Sequence, residues 1–175
     1  YMNWLRDTRD QYGIEYLLFG NHYDRVREDF YFGVLRSPED VRRYARHAVR
    51  AIESGLFTCM AHPDLYMQGY ARFDAECRSA GRDLCQAARE HSVVLEYNLS
   101  GLYNHFRRGA GYPCPEFWEI AAEEKAEAII GIDAHSPDRF GNRELFDLAV
   151  MHLRTLGIRR RESIAEQSFR PASIA

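Results

Sequence analysis

Ala128-Ile129-Ile130-Gly131-Ile132-Asp133-Ala134-His135-Ser136-Pro137-Asp138 is a short, β-branched, apolar run that delivers a carboxylate and an imidazole to one spot. Bounded by Ser-Pro, it reads as a buried strand rather than a helix. Side chains alternate across a strand, so Asp133 and His135 point the same way where extended geometry persists past Ile132, about 7 Å apart along the chain. That spacing suits two ligands serving one metal centre.

Outward from this run the same arrangement recurs. Ile14 to Phe19 reads as a strand closed by Gly20-Asn21, with His22 at its C-terminal lip. Leu56 to Ala61 is the next, ending in His62-Pro63-Asp64, and Ser92 to Tyr97 opens into Asn98-Leu99-Ser100-Gly101. Helices separate them. Ser37-Pro38-Glu39-Asp40 supplies a capping serine, a proline at the first helical position and acids in the first turn, so a helix runs from there to about Ser54, where Gly55 stops it. Further helices are predicted over Phe73 to His91, Pro115 to Lys125 and Asn142 to Leu156, and an amphipathic one over Met2 to Gln11 before Gly13. Asp24 to Gly33 and the stretch from Asn98 to Cys114 read as loops, and Ile158 to Ala175 as a short extended tail. Alternating strands and helices define an α/β protein with a parallel sheet. Reactive groups gathered at the C-terminal ends of parallel strands are what an α/β barrel provides, although the sequence alone does not establish closure.

Composition narrows the class. The 175 residues suit one domain with a sizeable core. A formal net charge of -3 gives no reason to expect nucleic acid or an anionic membrane as a partner. With no apolar stretch near the roughly 20 residues of a membrane span, and no visible signal peptide, a cytoplasmic location is the expectation. Cys59, Cys77, Cys85 and Cys114 form no CxxC pair and read as reduced core or helix-face residues. There is no GxSxG elbow, P-loop or GxGxxG after a strand, so serine acyl transfer, nucleoside triphosphate use and dinucleotide binding lack their motifs.

Three histidines and an aspartate, His22, His62, His135 and Asp133, follow successive strands and point to metal binding. Imidazole and carboxylate together suit zinc, iron or manganese. His47 and His152 lie within predicted helices and His91 ends one; His105, in a loop near Arg107 and Arg108, is the remaining histidine able to approach a substrate. Arg42, Arg46 and Arg50 recur at four-residue spacing beside Val41, Tyr44, Ala45, Ala48 and Ile52, which makes them a solvated helix face.

Five ordered motifs carry a resemblance. Leu18-Phe19-Gly20-Asn21-His22, Ala61-His62-Pro63-Asp64-Leu65, Leu95-Glu96-Tyr97-Asn98-Leu99-Ser100-Gly101-Leu102, Tyr112-Pro113-Cys114-Pro115-Glu116-Phe117 and Gly131 through Asp138 look like the polymerase and histidinol phosphatase (PHP) superfamily, in its histidinol-phosphatase branch. The likeness covers nearly the whole chain. It implies a distorted seven-stranded (βα) barrel with three divalent metal ions at the strand C-termini, hydrolysing a small phosphate monoester in histidine biosynthesis. His22 and His62 match the histidines that hold one metal together with a glutamate. Asp133 and His135 match the closing Asp-x-His pair, the aspartate on the first metal and the histidine on the third, and form the expected catalytic pair. Asn98, Ser100, Arg107 and Arg108 are the expected substrate-binding residues.

Two departures accompany the likeness. The family's opening His-x-His, a following histidine and a bridging glutamate would precede Tyr1, so residues 1–175 are expected to be one PHP-type domain incomplete at its N-terminus, binding metal weakly and turning over little. Tyr103 stands where the branch usually places a basic residue, and Tyr66, Met67 and Gln68 follow His-Pro-Asp-Leu, so Arg107 or Arg108 is left to bind phosphate. Hydrolysis of another small phosphate, and a degenerate scaffold without catalysis, are the alternatives.

Overall fold

Ser37 fixes where the first crossover helix begins. Its hydroxyl accepts from Asp40 N (3.2 Å) while Asp40 Oδ2 accepts from Ser37 N (3.1 Å), a reciprocal capping box that satisfies two otherwise unpaired helix-end donors. In this computed structural model, which describes residues 2–25, 28–70 and 72–164, that helix is one of six. In chain order the elements are α1 (Met2–Tyr12), β1 (Leu18–Gly20), β2 (Tyr23–Arg25), β3 (Glu28–Tyr31), α2 (Pro38–Glu53), β4 (Cys59–Ala61), α3 (Ala75–Glu90) and β5 (Val94–Asn98). There follow α4 (Leu99–Arg108), α5 (Pro115–Glu123), β6 (Ala128–Gly131), α6 (Arg143–Thr155) and β7 (Arg160–Arg161).

Five strands pair side by side in the order β1-β4-β5-β6-β7, every pair parallel. Each step along the sheet is a step along the chain, with one or two helices in every crossover. Alternation along the paired strands puts Phe19, Met60, Leu95, Tyr97, Ala128 and Ile130 on one face, where they join the apolar core beneath the helices. Phe117 and Trp118 of α5 are almost wholly buried there, and Tyr97 packs 5.0 Å from the Trp118 ring. Gly20, Ala61, Glu96, Asn98 and Gly131 fall on the opposite face.

The α2 apolar set Val41, Tyr44, Ala45, Ala48 and Ile52 is buried. Its arginines meet acids at the surface: Arg42 pairs with Glu39 (3.0 Å) and with Glu76 of α3 (2.8 Å), and Arg46 with Glu39 (2.9 Å). All four cysteines are unpaired thiols in the interior. Among the described residues no helix is long and apolar enough to cross a membrane.

Two expected loops are ordered elements. The segment after Asn98 is helix α4, not loop, because Asn98 Oδ1 accepts from Gly101 N (2.7 Å) and caps it; Gly101, which looks like a turn signal, instead leaves room for the Tyr112 ring. His105 therefore sits in the last turn of a helix, its Nδ1 2.6 Å from Ala110 O. Within Asp24 to Gly33, β2 and β3 pair antiparallel with Tyr23 opposite Tyr31, and the two rings lie 5.5 Å apart. Helix α1 forms as predicted but buries no residue, and Trp4 is 58% exposed. The described residues form a row of five parallel strands, the α/β architecture expected of this stretch. The tail is described to residue 164 and contributes β7; Phe169 and Pro171 lie outside the described residues.

Candidate metal centre

Asn98 is the hub of the carboxyl edge of the sheet. Its Nδ2 donates to Glu96 Oε2 (2.9 Å) and to Asp133 Oδ2 (3.1 Å), and Glu96 Oε2 also accepts from the backbone N–H of His62 (3.0 Å). Two side chains of β5, Glu96 and Asn98, thus connect the ends of its two neighbours, β4 and β6. The pairing permits this because Asn98 lies opposite Gly131, where a Cβ would collide with the Glu96 carboxylate. Burial raises the Glu96 pKa, the hydrogen bonds from Asn98 and His62 N lower it, and the nearby Asp133 raises it again.

The ends of β4 and β6 share an unusual backbone. Among the described residues four non-glycine residues have positive φ, and two of them, Ser92 (58°) and Lys125 (58°), directly follow helix C-caps, where a left-handed residue is routine. The other two are His62 (33°) and Asp133 (46°). Neither helix capping nor glycine accounts for them, and such conformations persist only where surrounding contacts hold them. For His62 those contacts are Glu96, Leu65 N donating to its carbonyl (3.0 Å), and Tyr44 OH donating to Pro63 O (2.8 Å).

His62 is 3% exposed, and its Nδ1 is buried without a hydrogen-bond partner. Burial above all, aided by the neighbouring His22 ring, pulls its pKa down to about 4, so the imidazole is neutral. The His22 ring lies edge-on at 4.6 Å and faces Tyr31 on its other side at 6.5 Å. Gly20 makes room for both imidazoles: a Cβ there would stand 2.7 Å from His22 Cε1 and 3.6 Å from His62 Cε1. A neutral, buried, unpaired ring nitrogen beside a second imidazole fits one side of a divalent-metal shell, and zinc, manganese and iron all accept such donors.

Asp133 and His135 are close but are not on one face of an extended strand. β6 ends at Gly131, and the left-handed Asp133 turns the chain so that His135 Nδ1 lies 2.9 Å from Asp133 O and 3.8 Å from Asp133 Oδ1. The carbonyl can only accept, so Nδ1 carries the proton and Nε2 remains for a ligand. The His135 side chain is 81% exposed. Among the described residues no three His, Cys, Asp or Glu side chains converge into a complete metal site.

Of the expected substrate residues, Asn98 has its amide engaged with Glu96, Asp133 and Gly101 N, and Ser100 Oγ donates to Asp133 O (2.8 Å). Both hold the Asp133 turn. Arg107 and Arg108 lie exposed on the last turn of α4, where Arg107 Nη1 donates to Tyr103 OH. Asp64 is a brace that sequence reasoning missed. It is 1% exposed, and its Oδ2 accepts from Cys114 N (2.6 Å) and Trp118 Nε1 (3.2 Å), tying the end of β4 to the start of α5. Burial pushes its pKa up to about 7 against the pull of those donors. Glu96 was missed as well; its signal is a lone carboxylate inside an apolar strand, which needs partners when buried.

Fold and site together define an α/β protein with a histidine and carboxylate cluster at the carboxyl edge of a parallel sheet. Comparison with protein-family models and with curated protein sequences gave no match.

Proposed function

We propose that this chain belongs to a metal-dependent phosphomonoesterase of the PHP type, with histidinol phosphate as substrate and the seven-stranded barrel as its full fold. The observation that carries the reading is the buried, unpartnered Nδ1 of the neutral His62, whose ring centroid lies 4.6 Å from that of His22, in a network that also holds Asp133. The sequential order of the parallel strands agrees with a barrel wall. His22, His62, Asp133 and His135 would hold divalent metal ions, which withdraw charge from the phosphate and activate water at neutral pH. Asn98 keeps the Asp133 carboxylate in place, and His62 offers a lone pair without losing a proton first. In the overall reaction a water oxygen bonds to phosphorus, the ester P–O bond breaks and the departing alkoxide takes up a proton. The exposure of His135 beside Asp133 supports a role for its imidazole in meeting the phosphate ester from solvent.

The test is phosphate release from histidinol phosphate by the full-length natural protein supplied with manganese, zinc or iron, with Asp133→Asn as the blank and metal content measured on both. Release abolished by the substitution supports the reading. Bound metal without release leaves hydrolysis of another small phosphate. Neither metal nor release overturns the enzyme reading in favour of a scaffold.

A further inference from the structure

Ser100, Tyr103 and Arg107 recur at three- and four-residue spacing on one face of α4, and Ser100 hydrogen-bonds the Asp133 carbonyl. That face therefore continues directly from the proposed site. Arg139 reaches it from a different element, the 3-10 turn Pro137–Arg139 that follows His135. Its guanidinium lies 3.7 Å from the centroid of the Tyr103 ring. Arg107 stands 5.3 Å from the same ring and donates to its hydroxyl. Ser100, Tyr103, Ile132 and Arg139 together line a small cleft, which Ser100 ties to the Asp133 carbonyl.

One tyrosine thus gathers two guanidinium groups, one against its face and one on its hydroxyl. Stacking uses the flat face of a guanidinium, whereas phosphate is bound through the N–H edge, so an aromatic platform orients an arginine for bidentate contact. Arg108 is five residues beyond Tyr103, about 140° round the helix, and points off this face. Two cations on a helix face tied to the Asp133 turn through Ser100 are the complement of a dianionic phosphate ester.

We propose that Arg139, positioned by Tyr103 and accompanied by Arg107, recognises the phosphate group of the substrate. The inference rests on the phosphomonoesterase reading above and selects the phosphate-binding residue within that same site.

The test uses the full-length metal-loaded protein and two readouts: KM and kcat for p-nitrophenyl phosphate hydrolysis, and the Kd of inorganic phosphate by calorimetry. Arg139→Ala is expected to raise both KM and the phosphate Kd by about tenfold to a hundredfold at unchanged metal content, the scale of lost hydrogen bonds to a charged group. Arg139→Lys should recover only part of this, and Tyr103→Leu, which keeps the arginine but removes its platform, should give an intermediate loss. If the wild type hydrolyses the ester but Arg139→Ala changes neither constant, or Arg108→Ala changes them more, the assignment of Arg139 is overturned and the phosphatase reading stands. If the wild type binds phosphate through Arg139 without hydrolysing the ester, the assignment survives and the phosphatase reading falls. Absence of both binding and hydrolysis overturns both.

Discussion

His62 and Asp133 end strands that never pair with each other, yet a single chain of hydrogen bonds joins them: His62 N to Glu96, Glu96 to Asn98, and Asn98 to Asp133. Both residues have left-handed backbones, with φ of 33° at His62 and 46° at Asp133. The network holds two strained turns in register across the width of β5, so disturbing its middle should be felt at both ends.

Asn98 is that middle. Asn98→Leu removes the cap of α4 and leaves Asp133 and Glu96 without their shared donor, so urea unfolding should lose about 2–4 kcal/mol. A midpoint equal to wild type would show that the network contributes nothing to stability.

Gly131→Ala inserts a methyl group against the Glu96 carboxylate. Overpacking of this kind costs about 1–3 kcal/mol. In a double-mutant cycle with Glu96→Ala the two losses should be less than additive, because the second substitution removes the atoms with which the first collides. Strict additivity in thermal unfolding would contradict the contact.

Asp64→Ala leaves Cys114 N and Trp118 Nε1 without their acceptor in the interior. About 2–4 kcal/mol of stability should go, together with a shift in tryptophan fluorescence as the Trp118 indole loses its partner. Unchanged emission and unfolding would remove Asp64 from its bracing role.

His152 of α6 lies 2.9 Å from Tyr97 OH, and burial lowers its pKa below 6.5. Below that value the unfolded chain takes up a proton that the folded chain refuses, so stability rises with pH through this window and falls as the medium is acidified. His47 and His62 act in the same direction. Unfolding free energies from about pH 7 to about pH 5 should therefore decline less steeply in His152→Gln than in wild type. Equal slopes, or an NMR titration midpoint for His152 above 6.5, would refute the assignment.

Much of this was legible in the sequence because it is local. Ser37 through Asp40 announces a helix start whose cap closes within four residues, and the spacing of Val41, Tyr44, Ala45, Ala48 and Ile52 names the face that becomes buried. The short apolar runs ending in His22, His62, Asn98 and Asp133 likewise place reactive groups after successive strands, since the end of an apolar run is a property of the chain itself. The stretch from Asn98 reads as a loop for the same reason: only the Tyr112 ring lying against Gly101 explains a glycine in the first turn of α4.

Contacts between segments belong to the tertiary structure. The sequence places an Asp-x-His pair after β6, but the left-handed turn at Asp133 bends the chain that extended geometry would have kept straight, and the Asn98 and Ser100 bonds that hold this turn come from a different strand and helix. The stacking of Arg139 on Tyr103, the reach of Asp64 to Cys114 and Trp118, and the isolation of His62 Nδ1 each depend on residues far apart in the chain. Local patterns determined the elements and the types of side chain at their ends. Parallel pairing and helix packing, driven by burial of apolar surface, decided which of those side chains meet.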